Sequence, residues 1–207
     1  MLGTTVDYPL LVLPSITNSY PYSLGTAMEN LYVTKFKEKQ RVKGKISEDK
    51  TFASYRDFTT TLRESLEQLR EIGCASKVFK QLKEKGVAIA MESMLPALLS
   101  FEIVKRMDWQ EQKLIDYWTC SEIVDEERPS PAMIRSCMRH LHVRDPTEVV
   151  KVDDTDIGIE EGRNAGVTTI AVLTGTQIRE QLEAEKPDAV LPSIRELPSW
   201  LTDKGYI

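Results

Sequence analysis

The chain has 207 residues, 27 Lys and Arg against 32 Asp and Glu, a formal net charge of −5 and 41% hydrophobic residues. That length and composition suit one large domain or a core with a smaller insert, and the acidic balance argues against a dedicated nucleic-acid binder. No apolar run approaches the roughly 20 residues of a membrane span, no basic stretch opens the N-terminus as in a signal peptide, and Cys74, Cys120 and Cys137 lie far apart without a C-x-x-C pair, as free thiols in a reducing, cytoplasmic compartment do.

Taken in chain order, residues 8–50 are rich in Tyr, Pro, Ser and Lys and show no clear period. Within them, KFKEKQRVKGK (residues 35–45) is basic at every odd position, which in an extended form makes one face cationic. A solvated segment is the preferred reading over an anion-binding lid or a nucleic-acid contact. Phe52, Tyr55, Leu62, Leu66 and Leu69 then mark a long amphipathic helix.

From residue 75 the signals alternate. Helices are expected over Ser76–Lys85, Pro96–Arg106, Pro131–Leu141, Ile159–Ala165, Thr176–Glu185 and Ile194–Leu201. Strands are expected over Val87–Met91, Ile115–Cys120, Glu148–Val152, Val167–Leu173 and the DAVL segment ending at Leu191. Alternation of this kind predicts an α/β fold with a parallel sheet covered on both faces. His140 and His142 have no third His and no nearby Cys, so they read as surface residues rather than a zinc pair.

Open parallel sheets bind ligands beyond the carboxyl ends of their strands. There the sequence offers Glu92-Ser93, the segment SEIVDEERPSP with Arg128, and Asp153-Asp154-Thr155. Adjacent carboxylates at a buried strand end repel each other and lose hydration, a cost that a divalent cation offsets. A hydroxyl, an arginine and a carboxylate pair suit a phosphoryl group and Mg²⁺. Each residue also has a structural reading: Ser93 as a turn residue, Arg128 paired with Glu126 or Glu127, and Asp153-Asp154 capping the helix near Ile157. Their order along the chain favours the functional reading.

RPSPAMI from Arg128, VVKVDDTDIGIEEGRNAG from Val149, IAMESML from Ile89 and LTGTQIREQLEAEKPDAVLPSIRELPSWL together resemble the haloacid dehalogenase-like hydrolases, most closely their phosphonatase-like branch. The resemblance implies a Rossmann-like core of residues 1–7 and 75–207 with a small helical cap, residues 8–74, inserted near the N-terminus. It implies Mg²⁺-dependent hydrolysis of a small phosphorylated metabolite by a soluble protein, with a homodimer as the candidate assembly. Ser93 would bind the phosphoryl group, Arg128 would neutralise its charge where many relatives carry Lys, and Asp154, with Asp153 beside it, would hold Mg²⁺.

The chain departs from the family pattern at named places. The motif FDMAGTTVD is matched by MLGTTVD only from its methionine onward, which puts the family's nucleophilic aspartate one position ahead of Met1. Glu92 replaces a neutral residue, Met94 a glycine, and Gly158 the motif's second aspartate, while Asp153 stands where many relatives have Gly. The alternative expectation is therefore a catalytically silent relative with a binding or regulatory role. Phosphonate cleavage would also need a cap lysine for a Schiff base, with candidates in residues 35–45, so phosphomonoester hydrolysis is preferred. The apolar run Pro9–Pro14 is a candidate to fill the place of the family's first strand.

Overall fold

The computed structural model describes residues 4–6 and 58–207, and the chain divides into two compact units, Tyr8–Leu69 and Met1–Asp7 with Arg70–Ile207. Of the first unit, the described part is a helix (α1, residues 58–64) and a 3₁₀ turn at Leu66–Gln68. Phe58, Leu62, Ser65 and Leu69 are buried at the spacing of one helical face, as expected for Leu62 and Leu69. The expectations for residues 35–45, Pro9–Pro14, Phe52 and Tyr55 lie outside the described residues.

The larger unit is the α/β fold that the alternation predicts. Its elements run α2 (Ala75–Glu84), β1 (Ala90–Ser93), α3 (Ala97–Arg106), β2 (Tyr117–Cys120), α4 (Ser121–Val124), α5 (Ala132–His140), β3 (Val150–Asp153), α6 (Asp156–Ala165), β4 (Thr168–Val172), α7 (Arg179–Ala184), β5 (Ala189–Leu191) and α8 (Leu197–Asp203). All paired strands are parallel: β1 with β2, and β3 with β4, which also pairs β5. Parallel strands need buried faces, and the helices supply them. Val78, Phe79 and Leu82 of α2 and Leu99, Ile103 and Val104 of α3 are all buried, and Phe79 meets Trp109 edge to face at 5.1 Å. Val6 forms an antiparallel bridge with Glu71, and Ile72 N–H donates to the Thr5 carbonyl, which ties residues 4–6 into this core.

Boundaries shift where side chains take over from the backbone. β1 begins at Ala90 rather than Val87 because Ile89 N–H donates to the Asp116 carboxylate at 2.7 Å. α6 begins three residues ahead of Ile159, since the Thr155 hydroxyl accepts from Gly158 N–H and caps the helix there. It ends at Gly166, whose left-handed φ of 77° a β-carbon would oppose. Gln177 bonds back to Asp156 through both of its amide atoms, so 176–178 stay a loop and α7 starts only at Arg179.

The strands form two pieces, β1-β2 and β3-β4-β5, with no ladder joining them among the described residues. A cavity of about 460 Å³ lies between them. Val87–Glu92 and Val149–Asp153 form its walls, and Thr4 and Thr5 also line it.

Candidate active site

The carboxyl ends of β1 and β3 bring Glu92, Ser93 and Asp153 to one edge, and Asp154 follows directly on β3. Arg128 comes from the loop between α4 and α5. That loop is fastened to α6 because the Asn164 side-chain amide donates to the Pro129 carbonyl at 2.9 Å.

Arg128 is buried, and it reaches carboxylates far from it in sequence. Its Nη2 lies 2.7 Å from Glu92 Oε1 and 3.0 Å from Asp153 Oδ2, and its Nε lies 2.7 Å from Glu161 Oε2. Lys151 reaches the same three carboxylates: it bonds Glu92 Oε1, lies 2.8 Å from Asp153 Oδ2 and 3.4 Å from Glu161 Oε2. Two cations thus hold three carboxylates in a buried network. Removing one member of such a network strands the others, a loss of about 3–5 kcal/mol.

Asp153 is committed on both oxygens. Oδ1 accepts from the N–H groups of Asp154 and Thr155 at 3.0 and 3.1 Å and from the Thr155 hydroxyl at 2.7 Å. Oδ2 faces Arg128 and Lys151. Burial opposes its ionisation, but the two cations outweigh burial and hold the carboxyl far below the usual range. Burial also disfavours the charge of Lys151, and Asp153 and Glu161 more than compensate, raising its pKa.

Asp154 sits differently. Its Oδ1 accepts from the Thr4 hydroxyl at 2.6 Å, while its buried Oδ2 has no hydrogen-bond partner. Burial and the neighbouring Asp153 charge push its carboxyl up to about 6. A β-carbon at Gly175 would fall 2.0 Å from that Oδ2, so only glycine lets the loop after β4 close over the carboxylate. An orphaned, buried carboxylate oxygen fits one ligand position of Mg²⁺, which takes one or two carboxylates and completes its shell with water and phosphate oxygens. No group of three or more His, Cys, Asp and Glu among the described residues is arranged to hold a metal.

Ser93 is buried, and its Oγ accepts from Leu95 N–H at 3.1 Å. That bond sets the turn into α3 and leaves the hydroxyl proton for another acceptor. His140 and His142 are exposed, and the His140 ring stacks on Tyr117 at 4.0 Å.

Sequence reasoning names Ser93, Arg128, Asp153 and Asp154, and the fold gathers them at one edge. It misses Lys151, Glu161, Thr4 and Gly175. Two of these carry a readable signal. A lysine inside the apolar run VVKV has to be buried and therefore paired, and the helical period puts Glu161 on the same inward face as Gly158 and Gly162.

A parallel α/β core with carboxylates, a hydroxyl and an arginine at its strand ends offers partners for an anion and for a hard cation. The profile of the haloacid dehalogenase-like hydrolases matches residues 17–172, and the chain belongs to that family. The chain is similar to the phosphonoacetaldehyde hydrolase of Bordetella pertussis, at 27% identity over 179 residues, covering 75% of this chain and 64% of that protein. It is also similar to that of Parabacteroides distasonis, at 29% identity, covering 72% of this chain and 61% of that protein. The chain therefore spans less than two thirds of the length of these relatives. Among solved structures, a hydrolase from Pseudomonas syringae matches with a TM-score of 0.77 at 12% identity, covering 97% of this chain and 94% of that one. A phosphonoacetaldehyde hydrolase-like protein from Oleispira antarctica matches with a TM-score of 0.70 at 19% identity, covering 98% and 90%. At such identities the likeness shows the fold. No helix among the described residues is long and apolar enough to cross a membrane.

Proposed function

We propose that the chain is a Mg²⁺-dependent hydrolase of a small phosphorylated metabolite, in which Asp154 carries the metal and Ser93 and Arg128 meet the phosphoryl group. The observation that carries this reading is the buried Oδ2 of Asp154, held beside a strand end by Thr4 and left without a hydrogen-bond partner. Such an atom is costly unless something binds it.

Mg²⁺ held by Asp154 would supply Lewis-acid stabilisation of charge on a phosphoryl group. Asp153 has a different part. Its fixed charge anchors Arg128 and Lys151, and its Oδ1 orders the turn that presents Asp154. The Ser93 hydroxyl donates to a phosphoryl oxygen. The attacking group is not assigned among the described residues. Residues 8–74 serve as the cap that selects the substrate. The phosphonoacetaldehyde hydrolases among the similar proteins support a small phosphoryl or phosphonyl substrate.

The test is phosphate release from a panel of small phosphomonoesters and phosphonates, with and without Mg²⁺. The reading expects Mg²⁺-dependent turnover that Asp154→Asn abolishes and Arg128→Gln lowers at least a hundredfold. Turnover indifferent to Mg²⁺ and to both substitutions overturns it.

A further inference from the structure

We infer that Glu92 is a resident anion of the phosphoryl site: it occupies Arg128 and Lys151 in the resting protein and is displaced when a phosphoryl group binds. This rests on the reading above, in which Arg128 meets that group.

Three carboxylates surround Arg128, and they are not held equally. Glu161 is fully buried, at 0% side-chain exposure. Asp153 is 3% exposed and is also pinned by two backbone N–H groups and the Thr155 hydroxyl. Glu92 is 11% exposed, sits at the strand end, and reaches both cations through Oε1 alone. Its Oε2 is buried with no hydrogen-bond partner. Glu92 is therefore the carboxylate nearest solvent, the one that can turn outward without carrying a fully buried charge through the core.

Charge makes the release necessary. Three carboxylates around two cations leave a formal charge of about −1 before any ligand arrives, and like charges at contact distance in a buried site oppose one another strongly. A phosphoryl dianion does not join that set; it replaces a member. Exchanging Glu92 for the phosphoryl group keeps Arg128 and Lys151 paired throughout.

The exchange also sets specificity. A ligand has to displace a carboxylate that is covalently part of the site and so present at high effective concentration. A carboxylate ligand offers the cations nothing that Glu92 does not. A phosphoryl or phosphonyl dianion brings more charge and more acceptor oxygens. Glu92 thus screens carboxylate metabolites out of the site.

Calorimetric titration of the full chain with inorganic phosphate in saturating Mg²⁺ tests this. Glu92→Gln is expected to bind phosphate at least tenfold tighter than the unsubstituted protein and to gain measurable affinity for acetate. Glu161→Gln, which removes a charge of the same sign from the same network at a fully buried position, is expected to tighten binding by less than threefold. Unchanged or weaker binding by Glu92→Gln overturns the inference, as does equal tightening by both variants. If Glu92→Gln fails to fold, Glu92→Asp, whose shorter side chain falls back from Arg128, is judged by the same criterion. Adding Arg128→Gln to Glu92→Gln separates the two levels. Phosphate binding indifferent to Arg128 sinks the phosphohydrolase reading, whereas Arg128-dependent binding that Glu92→Gln does not tighten sinks only the role of Glu92.

Discussion

Gly158 and Asp153 are complementary: a β-carbon on residue 158 would fall 2.1 Å from Cγ of Asp153, so the carboxylate fills the space a side chain there would need. The family resemblance places glycine at 153 and aspartate at 158, the reverse of this chain. The two departures are one exchange. A carboxylate stays at this spot, but it is delivered by strand β3 instead of helix α6.

Gly158→Ala should therefore destabilise the protein by about 2–4 kcal/mol, although alanine is the better helix former. Gly158→Asp should cost more, since it adds a like charge to the clash. The double exchange Asp153→Gly with Gly158→Asp should recover most of that loss. Urea denaturation of the four proteins measures the coupling, and additive losses would refute it.

The bond from Thr4 to Asp154 predicts a second effect. Thr4→Val keeps the shape of the side chain and removes the donor, leaving a second oxygen of a buried carboxylate without a partner. The expected loss is about 1–3 kcal/mol in the absence of metal. Added Mg²⁺ should recover part of it, read as a larger rise in Tm for the variant than for the unsubstituted protein.

Stability should depend on pH in two opposed windows. Asp154 has a folded pKa raised to about 6, above its unfolded value, so the folded state holds the extra proton and stability falls as pH rises from about 4 through 6. Asp153 is depressed, so its contribution is complete above about pH 4 and is lost as pH falls below that. Without metal, stability should peak near pH 4–5. Asp154→Asn should flatten the upper limb, and Mg²⁺ should do the same by stabilising the charged carboxylate. Denaturant midpoints between pH 3 and 8 check both limbs.

The cysteines should separate by reactivity. Burial, reinforced by the charge of Glu161, pushes the Cys137 thiol up to about 12, and Cys120 is buried, whereas Cys74 is exposed. Iodoacetamide at pH 8 should modify Cys74 in the native protein and reach Cys120 and Cys137 only on unfolding. Peptide mapping of the alkylated protein gives the order.

Much of the core was legible because buried parallel strands are short apolar runs and the helices between them keep a clear apolar face. Element edges shifted where one side chain replaced a backbone bond, as with Asp116 at Ile89 and Gln177 at Asp156, because such pairings join residues distant in sequence. The site was legible as far as strand ends could be found, which gave Ser93, Asp153 and Asp154. Lys151 and Glu161 can be read from sequence as inward-facing charges, but their partners cannot, because Arg128 and Asp153 meet them only in the fold. Gly175 carries no local signal; its need for glycine comes from Asp154, 21 positions earlier in the chain.

If Asp154 and Arg128 form one metal-assisted phosphoryl site, the affinity for inorganic phosphate with and without Mg²⁺ reports on both at once. Mg²⁺ should strengthen phosphate binding at least tenfold, Asp154→Asn should remove this enhancement, and Arg128→Gln should weaken phosphate binding whether or not Mg²⁺ is present. Phosphate affinity that is the same in the two conditions, and the same in all three proteins, would contradict the metal-assisted site.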